Sequence, residues 1–237
     1  KFDKDTTQAA GAYVADPKRG MHKWIGSMDL NSLYPSIIRS CNMSTETIIG
    51  QVRHTFTRDL LDKAKTIPEA WEGRFATPEY ELVMDKDTTE LMHIDFENGD
   101  AFEATGAEIY EIVFNSGQPW IISANGTIFT YEKKGIIPGL LERWYAERKE
   151  LQAKAVAARE EGGDKFAFWD KRQLVKKINL NSLYGALLNP GSRFFDSRLG
   201  QSTTLTGRSI ARHMAAKCNE IMAGEYDHVG KSIVYGD

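Results

Sequence analysis

The chain has 237 residues, of which 41% are hydrophobic, 11% aromatic and 27% charged, and this composition excludes a miniature scaffold and a disordered or collagen-like chain. Its net charge of −3 is unevenly distributed: residues 1–137 carry 14 Lys and Arg against 21 Asp and Glu, residues 138–217 carry 15 against 8, and the last twenty carry 1 against 4. No apolar run approaches the roughly 18–20 residues that cross a bilayer, and the first residues lack the apolar stretch of a secretory signal, so we expect no membrane segment and a cytoplasmic location.

The first predicted unit is a strand followed by a turn and a helix. Residues 24–30, Trp-Ile-Gly-Ser-Met-Asp-Leu, have the composition of a short strand that ends near the carboxylate of Asp29. Residues 31–34 then form a turn. Pro35, a residue favoured at the first helical position, opens a helix that we expect to continue to Cys41.

The next region is predicted to contain two hairpins and a helix start. Asn-Gly pairs divide residues 91–103 and 120–131 into two β-type runs each, which is typical of hairpins. Between the hairpins, Thr105 and Glu108 have the spacing of a capping box, so we expect a short helix to begin there. Residues 51–90 give no clear pattern.

The second half of the chain is predicted to be mainly helical. Apolar residues recur at helical spacing over 138–161, and a Gly-Gly pair then breaks the helix. Asp164 is a candidate cap for a second helix that runs through Leu183, so the two helices form an antiparallel hairpin that carries the basic charge. An irregular link, a helix over about 206–222 and a final β-type run, 231–235, complete the prediction.

Asp29 and the turn that follows it have the features of a site for a metal-bound polyphosphate. A carboxylate supplies the hard oxygen ligand that Mg²⁺ prefers. The backbone N–H groups of Ser32, Leu33 and Tyr34 lie where a helix begins, and amides at such positions commonly face phosphates. Taken alone, a strand-terminal aspartate is more often a cap or a surface residue, so this alternative stays open here.

A second candidate surface lies on the second long helix. Lys177, Asn181 and Tyr184 are spaced i, i+4 and i+7 and so share one face, where Gly185 allows close approach. A cation for phosphate and an aromatic ring for base and sugar suit a nucleotide. Arg148, on the preceding helix, is placed to project toward the same space. A satisfied polar face with a half-buried tyrosine is the alternative interpretation of this spacing.

Three motifs of this sequence resemble those of family B DNA polymerases and occur in the family's order. Residues 29–38, Asp-Leu-Asn-Ser-Leu-Tyr-Pro-Ser-Ile-Ile, resemble the first palm motif, Asp-x-x-Ser-Leu-Tyr-Pro-Ser-Ile-Ile. Residues 177–185 resemble the fingers motif, Lys-x-x-x-Asn-Ser-x-Tyr-Gly, and residues 235–237, Tyr-Gly-Asp, resemble the opening of the third motif, Tyr-Gly-Asp-Thr-Asp. Residues 10–14 and 123–126 are most similar to the replicative enzymes of large tailed phages.

The resemblance implies an α+β fold, with a palm made of an antiparallel sheet and flanking helices and with an α-helical fingers hairpin that rotates toward the palm. It implies four segments: 1–50 as the first part of the palm, 51–135 as its β-rich continuation, 136–189 as the fingers, and 190–237 as the second part of the palm. Asp29 and Asp237 are expected on neighbouring strands of the palm sheet.

The resemblance also implies roles for individual residues. Asp29 and Asp237 are the expected catalytic carboxylates, and with the Leu30 carbonyl they would hold two Mg²⁺ ions. The expected nucleotide-binding residues surround the triphosphate and the nascent base pair: Ser32, Leu33, Tyr34, Arg148, Lys177, Asn181 and Tyr184. Tyr34 would also exclude a ribose 2′-hydroxyl. The implied reaction is template-directed addition of deoxynucleotides to a primer 3′-OH by two-metal-ion phosphoryl transfer.

Two departures from the family pattern shape the functional hypothesis. Gln152 replaces a second cation that some phage relatives carry, so the triphosphate would depend more on Lys177. The third motif stops after its first Asp, whereas the second ligates metal in the family, so Asp237 is the less critical carboxylate and half of the metal site is expected to be missing. We therefore expect a palm-and-fingers portion of a split, intein-interrupted or truncated polymerase that acts on primer-template DNA and dNTP with a C-terminal partner supplying the missing Asp and the thumb. The alternative is a catalytically inert nucleotide- or DNA-binding remnant.

Residues 95–97, Asp-Phe-Glu, have the Asp-x-Glu form of an exonuclease motif. They follow the first palm motif, which is the wrong side in the family's order, and no companion carboxylate motif is visible. We therefore do not expect an exonuclease site at these residues.

Overall fold

The computed structural model describes residues 12–52, 91–162 and 165–236, and it confirms an α+β fold. The strands are β1 (Ile48–Val52), β2 (Leu91–Phe96), β3 (Ala101–Thr105), β4 (Trp120–Ile122) and β5 (Thr127–Thr130). They form one antiparallel sheet in the order β3-β2-β1-β5-β4. The sheet therefore joins both predicted hairpins through the central strand β1.

Helices cover the sheet. The α-helices are α1 (Leu33–Ser40), α2 (Gly106–Tyr110), α3 (Ile136–Glu160), α4 (Lys165–Leu187) and α5 (Ser197–Ala223). A short 3₁₀ helix, Thr45–Thr47, precedes β1, and a π-helical turn, Glu111–Asn115, continues α2. Among the described residues, no helix has the length and apolar character that crossing a membrane requires.

Both hairpins and the capping box are confirmed. The turns place Gly99 and Gly126 at positive φ, 96° and 82°, where a residue without Cβ is unstrained. The Thr105 hydroxyl accepts a hydrogen bond from the Glu108 N–H at 3.3 Å, and the Glu108 carboxylate accepts one from the Thr105 N–H at 2.8 Å. Hydrogen bonds between near neighbours in sequence therefore set these elements.

Two apolar clusters pack on opposite faces of the sheet. On β5, Ile128 and Phe129 are both fully buried and, as successive strand residues, project to opposite sides. Ile128 belongs to a cluster with side chains of β1, β2, β3, β4, α2 and the π-helical turn: Val52, Met92, Ile94, Ala104, Ile109, Val113 and Ile122. Phe129 belongs to a cluster that joins β1 to the helices: Ile37, Ile38, Met43, Ile48, Ile137, Leu141, Leu180, Leu187 and Leu199. The second cluster holds α1 against the hairpin of α3 and α4.

The predicted strand at residues 24–30 is wrong. This segment is irregular, Trp24 has a left-handed φ of 59°, and its side chain is fully exposed. A strand needs a neighbour whose N–H and C=O groups pair with its own, and no described residue pairs with this segment. Asp29 therefore lies on an exposed irregular segment rather than on a sheet strand.

The predicted final strand, residues 231–235, is also wrong. The Ala15 N–H donates to the Gly236 carbonyl at 2.7 Å, and the Lys18 N–H donates to the Val234 carbonyl at 2.9 Å. This end of the chain thus pairs with the segment that contains Ala15 and Lys18, by two bonds that do not form a regular ladder. The expected neighbouring strands that lead to Asp29 and Asp237 are not formed among the described residues.

Some predictions fall on residues outside the described ranges. They concern Asp237, the cap at Asp164, residues 53–90 and the part of the 10–14 motif that precedes residue 12. The boundaries of the four implied segments stay predictions as well.

Helix α5 begins nine residues before the predicted position, at Ser197 rather than Thr206. Its N-cap, Asp196, accepts a hydrogen bond from the Arg198 N–H at 2.9 Å. The first turns contain Ser and Thr, which are weak helix formers, but the buried Thr203 hydroxyl donates to the carbonyl four residues earlier at 2.8 Å. Burial therefore overrides the low propensity of this stretch, and the bond to the backbone satisfies the buried hydroxyl.

Candidate functional site

A left-handed residue precedes α1, at the turn predicted to face a phosphate. Ser32 has left-handed angles, φ 55° and ψ 53°, and the helix begins at Leu33. Pro35 is therefore the third helical residue and not the first, as we predicted, but the N–H groups of a first turn have no acceptor within the helix, so proline is tolerated. The amides of Leu33 and Tyr34 belong to this turn, and the exposed Asp29 precedes it.

Two of the predicted nucleotide-binding residues are in direct contact. The rings of Tyr34, on α1, and Tyr184, on α4, have centroids 4.6 Å apart and planes inclined by 40°. Burial, and then the neighbouring Tyr184 phenol, raise the pKa of Tyr34. The first palm motif and the fingers motif thus meet through an aromatic pair.

The polar face of α4 connects this aromatic pair to Arg148. Gln173, Lys177, Asn181 and Tyr184 follow one another at spacings of three or four residues and so lie along one side of the helix. At the other end of this row, the Arg148 Nε donates to the Gln173 Oε1 at 3.4 Å. The predicted residues of the two helices and of α1 are therefore arranged along a single surface.

Lys177 and Asn181 form the exposed middle of this row. Within the described ranges, their side chains make no hydrogen bond or ion pair with other residues. The neighbouring Lys176, by contrast, forms an ion pair with Glu147 on α3, which fixes the register of the two helices. The cation and the amide of the predicted site are thus exposed to solvent, while the adjacent lysine serves the helix packing.

Two residues of this site were not predicted from the sequence, and both lie on α5. The Tyr184 hydroxyl is hydrogen-bonded to the Thr204 hydroxyl. A Cβ on Gly207 would lie 2.9 Å from Cε1 of Tyr34, closer than real Cβ contacts. The spacing of Gly200, Thr204 and Gly207, which is i, i+4 and i+7, was the available signal, but the predicted helix began too late to include all three.

The base of α3 is held by a buried asparagine. Asn42 has a left-handed φ of 50° and is almost completely buried. Its amide donates to the Thr130 and Lys133 carbonyls at 2.7 and 2.8 Å, and its Oδ1 accepts from the Gly135 N–H at 2.9 Å. All hydrogen-bonding groups of the side chain except one acceptor lone pair are thereby used, which fixes the N-terminus of α3 to the end of α1 and to β5.

A carboxylate also contacts the first residue of α3. Glu46 accepts hydrogen bonds from the Ile136 N–H at 2.5 Å and from the Ser44 hydroxyl at 2.7 Å. Partial burial acts to raise the pKa of Glu46, but the hydrogen bonds from Ile136 and Ser44 favour the carboxylate and lower the pKa below its ordinary value. The negative charge also complements the positive end of the helix dipole.

Metal-binding groups are incomplete in the described part of the chain. In residues 12–52, 91–162 and 165–236, no three His, Cys, Asp or Glu side chains cluster as ligands. The Asp29 carboxylate and the Leu30 carbonyl are hard oxygen donors of the kind that Mg²⁺ takes. They therefore fit part of the implied donor set, of which Asp237 lies outside these ranges.

The Asp-x-Glu sequence at residues 95–97 has structural partners. The Asp95 carboxylate lies 3.2 Å from Nε2 of His93 on the same strand, and Glu97 forms an ion pair with Arg198 of α5. Both carboxylates therefore have partners within the fold.

Comparison with known proteins gives a single family. The family model described as DNA polymerase family B matches residues 1–237. The chain is 32% identical over 232 residues to a DNA polymerase of Paramecium bursaria Chlorella virus NY2A, covering 96% of this chain and 19% of that protein. It is 29% identical over 220 residues to the DNA-directed DNA polymerase of Enterobacteria phage T4, covering 90% of this chain and 24% of the relative.

A second phage relative gives the same result. The DNA-directed DNA polymerase of Escherichia phage RB69 is 27% identical over 242 residues, covering 96% of this chain and 25% of that protein. The chain thus spans between a fifth and a quarter of the length of these relatives.

Proposed function

Because this chain belongs to DNA polymerase family B, we propose that it forms the palm and fingers of a DNA-directed DNA polymerase, which extends a primer on a template with deoxynucleoside triphosphates. The observation that carries the proposal is the contact between Tyr34 and Tyr184, since it joins the first palm motif to the face that bears Lys177 and Asn181. A nucleotide on this surface would meet a helix start, a cation, an amide and an aromatic ring together.

We propose that the triphosphate is held between the start of α1 and the polar face of α4. The amides of Ser32, Leu33 and Tyr34 would donate to phosphate oxygens, as helix starts do. Lys177 and Arg148 would neutralise the charge of the phosphates. The Arg148 guanidinium has donors beyond the Nε that Gln173 uses, so it is able to bind phosphate without leaving that partner.

The remaining residues of the surface would act on the base and the sugar. Asn181 would donate to a phosphate or the sugar, and Tyr184 would lie against the nascent base pair. Tyr34 would occupy the space that a 2′-hydroxyl requires, so that a deoxyribose is accepted and a ribose is excluded. The close packing of the two rings makes Tyr34 a rigid barrier.

We propose that Asp29 and Asp237 are catalytic carboxylates and that, with the Leu30 carbonyl and the second Asp of the third motif, they complete a site for Mg²⁺. When bound, two such ions would stabilise the negative charge that develops on the attacking and leaving oxygens. In the reaction, the primer 3′-hydroxyl gives up its proton to water, its oxygen forms a bond to the α-phosphorus, the bond from that phosphorus to the bridging oxygen breaks, and pyrophosphate leaves. The residues described above position the triphosphate for this displacement.

Primer-template DNA and dNTP are the proposed partners, and the second Asp of the third motif and the thumb would come from a polymerase segment that follows Tyr-Gly-Asp. A cytoplasmic location stays a prediction. Activity is therefore tested in a complete polymerase that contains this chain, either as one polypeptide or with that segment added.

Primer extension with a Lys177→Ala variant tests the proposal. Loss of a charge-assisted contact to phosphate should raise the dNTP concentration at half-maximal rate about 10- to 100-fold, while the affinity for primer-template DNA stays nearly unchanged. Lys171→Ala is the matched control, because this exposed lysine lies six residues earlier on α4 and about 120° around the helix.

Two results would contradict the proposal. A complete polymerase that binds labelled DNA and dNTP without extending the primer would favour the inert binding remnant. A collapse of DNA affinity in Lys177→Ala, with no change in the dNTP requirement, would show that this face of α4 binds DNA rather than the triphosphate.

A further inference from the structure

We propose that one face of α5, formed by Gly200, Thr204 and Gly207, is a positioning surface that sets where Tyr34 and Tyr184 stand in the nucleotide site. These three residues are spaced i, i+4 and i+7 and so share one side of the helix. The inference rests on the proposed function, because it concerns how the two tyrosines of that site are held. It adds residues that no motif of the sequence assigned.

Gly207 determines how closely the Tyr34 ring approaches α5. A Cβ at this position would lie 2.9 and 3.4 Å from Cε1 and Cδ1 of Tyr34 and 3.3 Å from Cδ1 of Ile37. Ile37 is buried in the core of α1, whereas Tyr34 is half-buried and keeps one side toward solvent. An added methyl group would therefore displace the tyrosine ring outward, into the space proposed for the sugar.

Thr204 fixes the direction of the Tyr184 hydroxyl. The Thr204 hydroxyl donates its single hydrogen to the Gly200 carbonyl at 3.0 Å. Both bonds form together when Thr204 accepts from Tyr184, and in that arrangement the Tyr184 O–H points toward α5. Thr204 is almost completely buried, so water does not compete for this bond. The phenol oxygen is left able to act only as an acceptor toward the nucleotide site.

Gly200 allows the close approach on which the other two contacts depend. A Cβ there would lie 1.8 Å from Cδ2 of Leu188, which follows α4. The helices α4 and α5 therefore approach closely at this point, one turn of α5 before Thr204. Together, the three small residues allow the tyrosine pair to pack against α5.

The test is Gly207→Ala in the complete polymerase, with Gly139→Ala as the matched control. A Cβ on Gly139, also in a helix, meets only one atom, at 4.0 Å. We expect Gly207→Ala to raise the KM for dNTP about tenfold and to change kcat less than about threefold. The reason is that the added methyl group would push the Tyr34 ring into the space proposed for the sugar. Gly139→Ala should leave both constants unchanged.

A double mutant separates positioning from a general structural effect. If Gly207 acts through the Tyr34 ring, Gly207→Ala should change the KM less than about twofold in a Tyr34→Ala background. An equal change in both backgrounds would overturn the proposal. A second pair of variants tests the hydroxyl: Thr204→Val should raise the KM about threefold or more, and Thr204→Ser, which keeps the acceptor, should restore it. A Thr204→Val enzyme that behaves like the unchanged chain would also overturn it.

A measurement that does not depend on activity distinguishes the positioning surface on α5 from the proposed polymerase function. In protein labelled with fluorotyrosine, the ¹⁹F resonance of Tyr34, assigned with Tyr34→Phe, should shift in Gly207→Ala and not in Gly139→Ala. A shift in a protein that never extends a primer would support the positioning surface and contradict the proposed polymerase. An unchanged resonance in an active polymerase would contradict the positioning surface alone.

Discussion

The two sides of the proposed site are held in opposite ways. Tyr34 and Tyr184 are enclosed by three helices, and their positions follow from ring packing, a buried hydroxyl and a close approach of α5. Asp29 lies on an exposed irregular segment whose residues 24–30 pair with no described strand. The comparison teaches that packing within this chain builds the proposed nucleotide surface, whereas Asp29, the proposed catalytic carboxylate, contributes little to packing.

The largest expected effect is a loss of activity, and it comes from substitution of the exposed Asp29. Asp29→Asn keeps the size of the side chain but removes the charge proposed to hold Mg²⁺, so the primer extension rate of a complete polymerase should fall by about 10²- to 10³-fold. The free energy of unfolding should change by less than about 0.5 kcal/mol, because the side chain is exposed. Rates and urea unfolding curves measure the two quantities.

Asp16→Asn provides the matched control for that experiment, because Asp16 is an exposed aspartate on a neighbouring irregular segment. Its substitution should change neither quantity. A substantial loss of stability in Asp29→Asn would break the comparison, since it would show that this carboxylate is part of the packing.

The second effect is a loss of stability, and it comes from the close packing of α5 against the end of α4. Gly200→Ala places a methyl group where Leu188 stands, and it should lower the free energy of unfolding by about 1–3 kcal/mol, as overpacking of a core does. Gly185→Ala, also in a helix, introduces a Cβ with no atom within 4 Å and should not destabilise the protein. Equal unfolding midpoints for the two variants would show that α4 and α5 are not tightly packed.

The smallest effect concerns pH and the base of α3. The lowered pKa of Glu46 means that its stabilising contribution is complete above the ordinary value of 4.5 and is lost as the pH falls through the folded-state pKa. Solvent screening limits this contribution to about 0.5 kcal/mol. Glu46→Gln should therefore make the unfolding midpoint less dependent on pH below 4.5, while the midpoint at pH 7 falls slightly.

The sequence predicted those elements that depend on near neighbours. The hairpins around Gly99 and Gly126 and the helix start at Thr105 were correct, because turn and cap chemistry acts over a few residues. The face of α4 that bears Lys177 was correct for the same reason, since helical spacing alone places residues on one side.

The two failed strands and the missed Asn42 depend on distant partners. Residues 24–30 and 231–235 have strand-like composition, but a strand forms only when another segment pairs with it, and composition does not name that segment. The early part of α5 failed for another reason. Its Ser and Thr residues favour loops in isolation, yet burial of Thr203 and Thr204 makes this stretch helical, and the bonds to the helix backbone satisfy the buried hydroxyls. Asn42 was missed because its three partners lie about 90 residues away.

The hydrogen bonds of Asn42 hold one end of the helical hairpin, while its other end lies far from the sheet. With its N-terminus fixed by the hydrogen bonds of Asn42 and Glu46, α3 extends 25 residues, or about 37 Å, from this fixed end. A rotation of about 10° around that point would displace the far end by about 6 Å, although the N-terminus of α3 would hardly move. A small change of angle at the fixed end would therefore correspond to a much larger displacement at the far end.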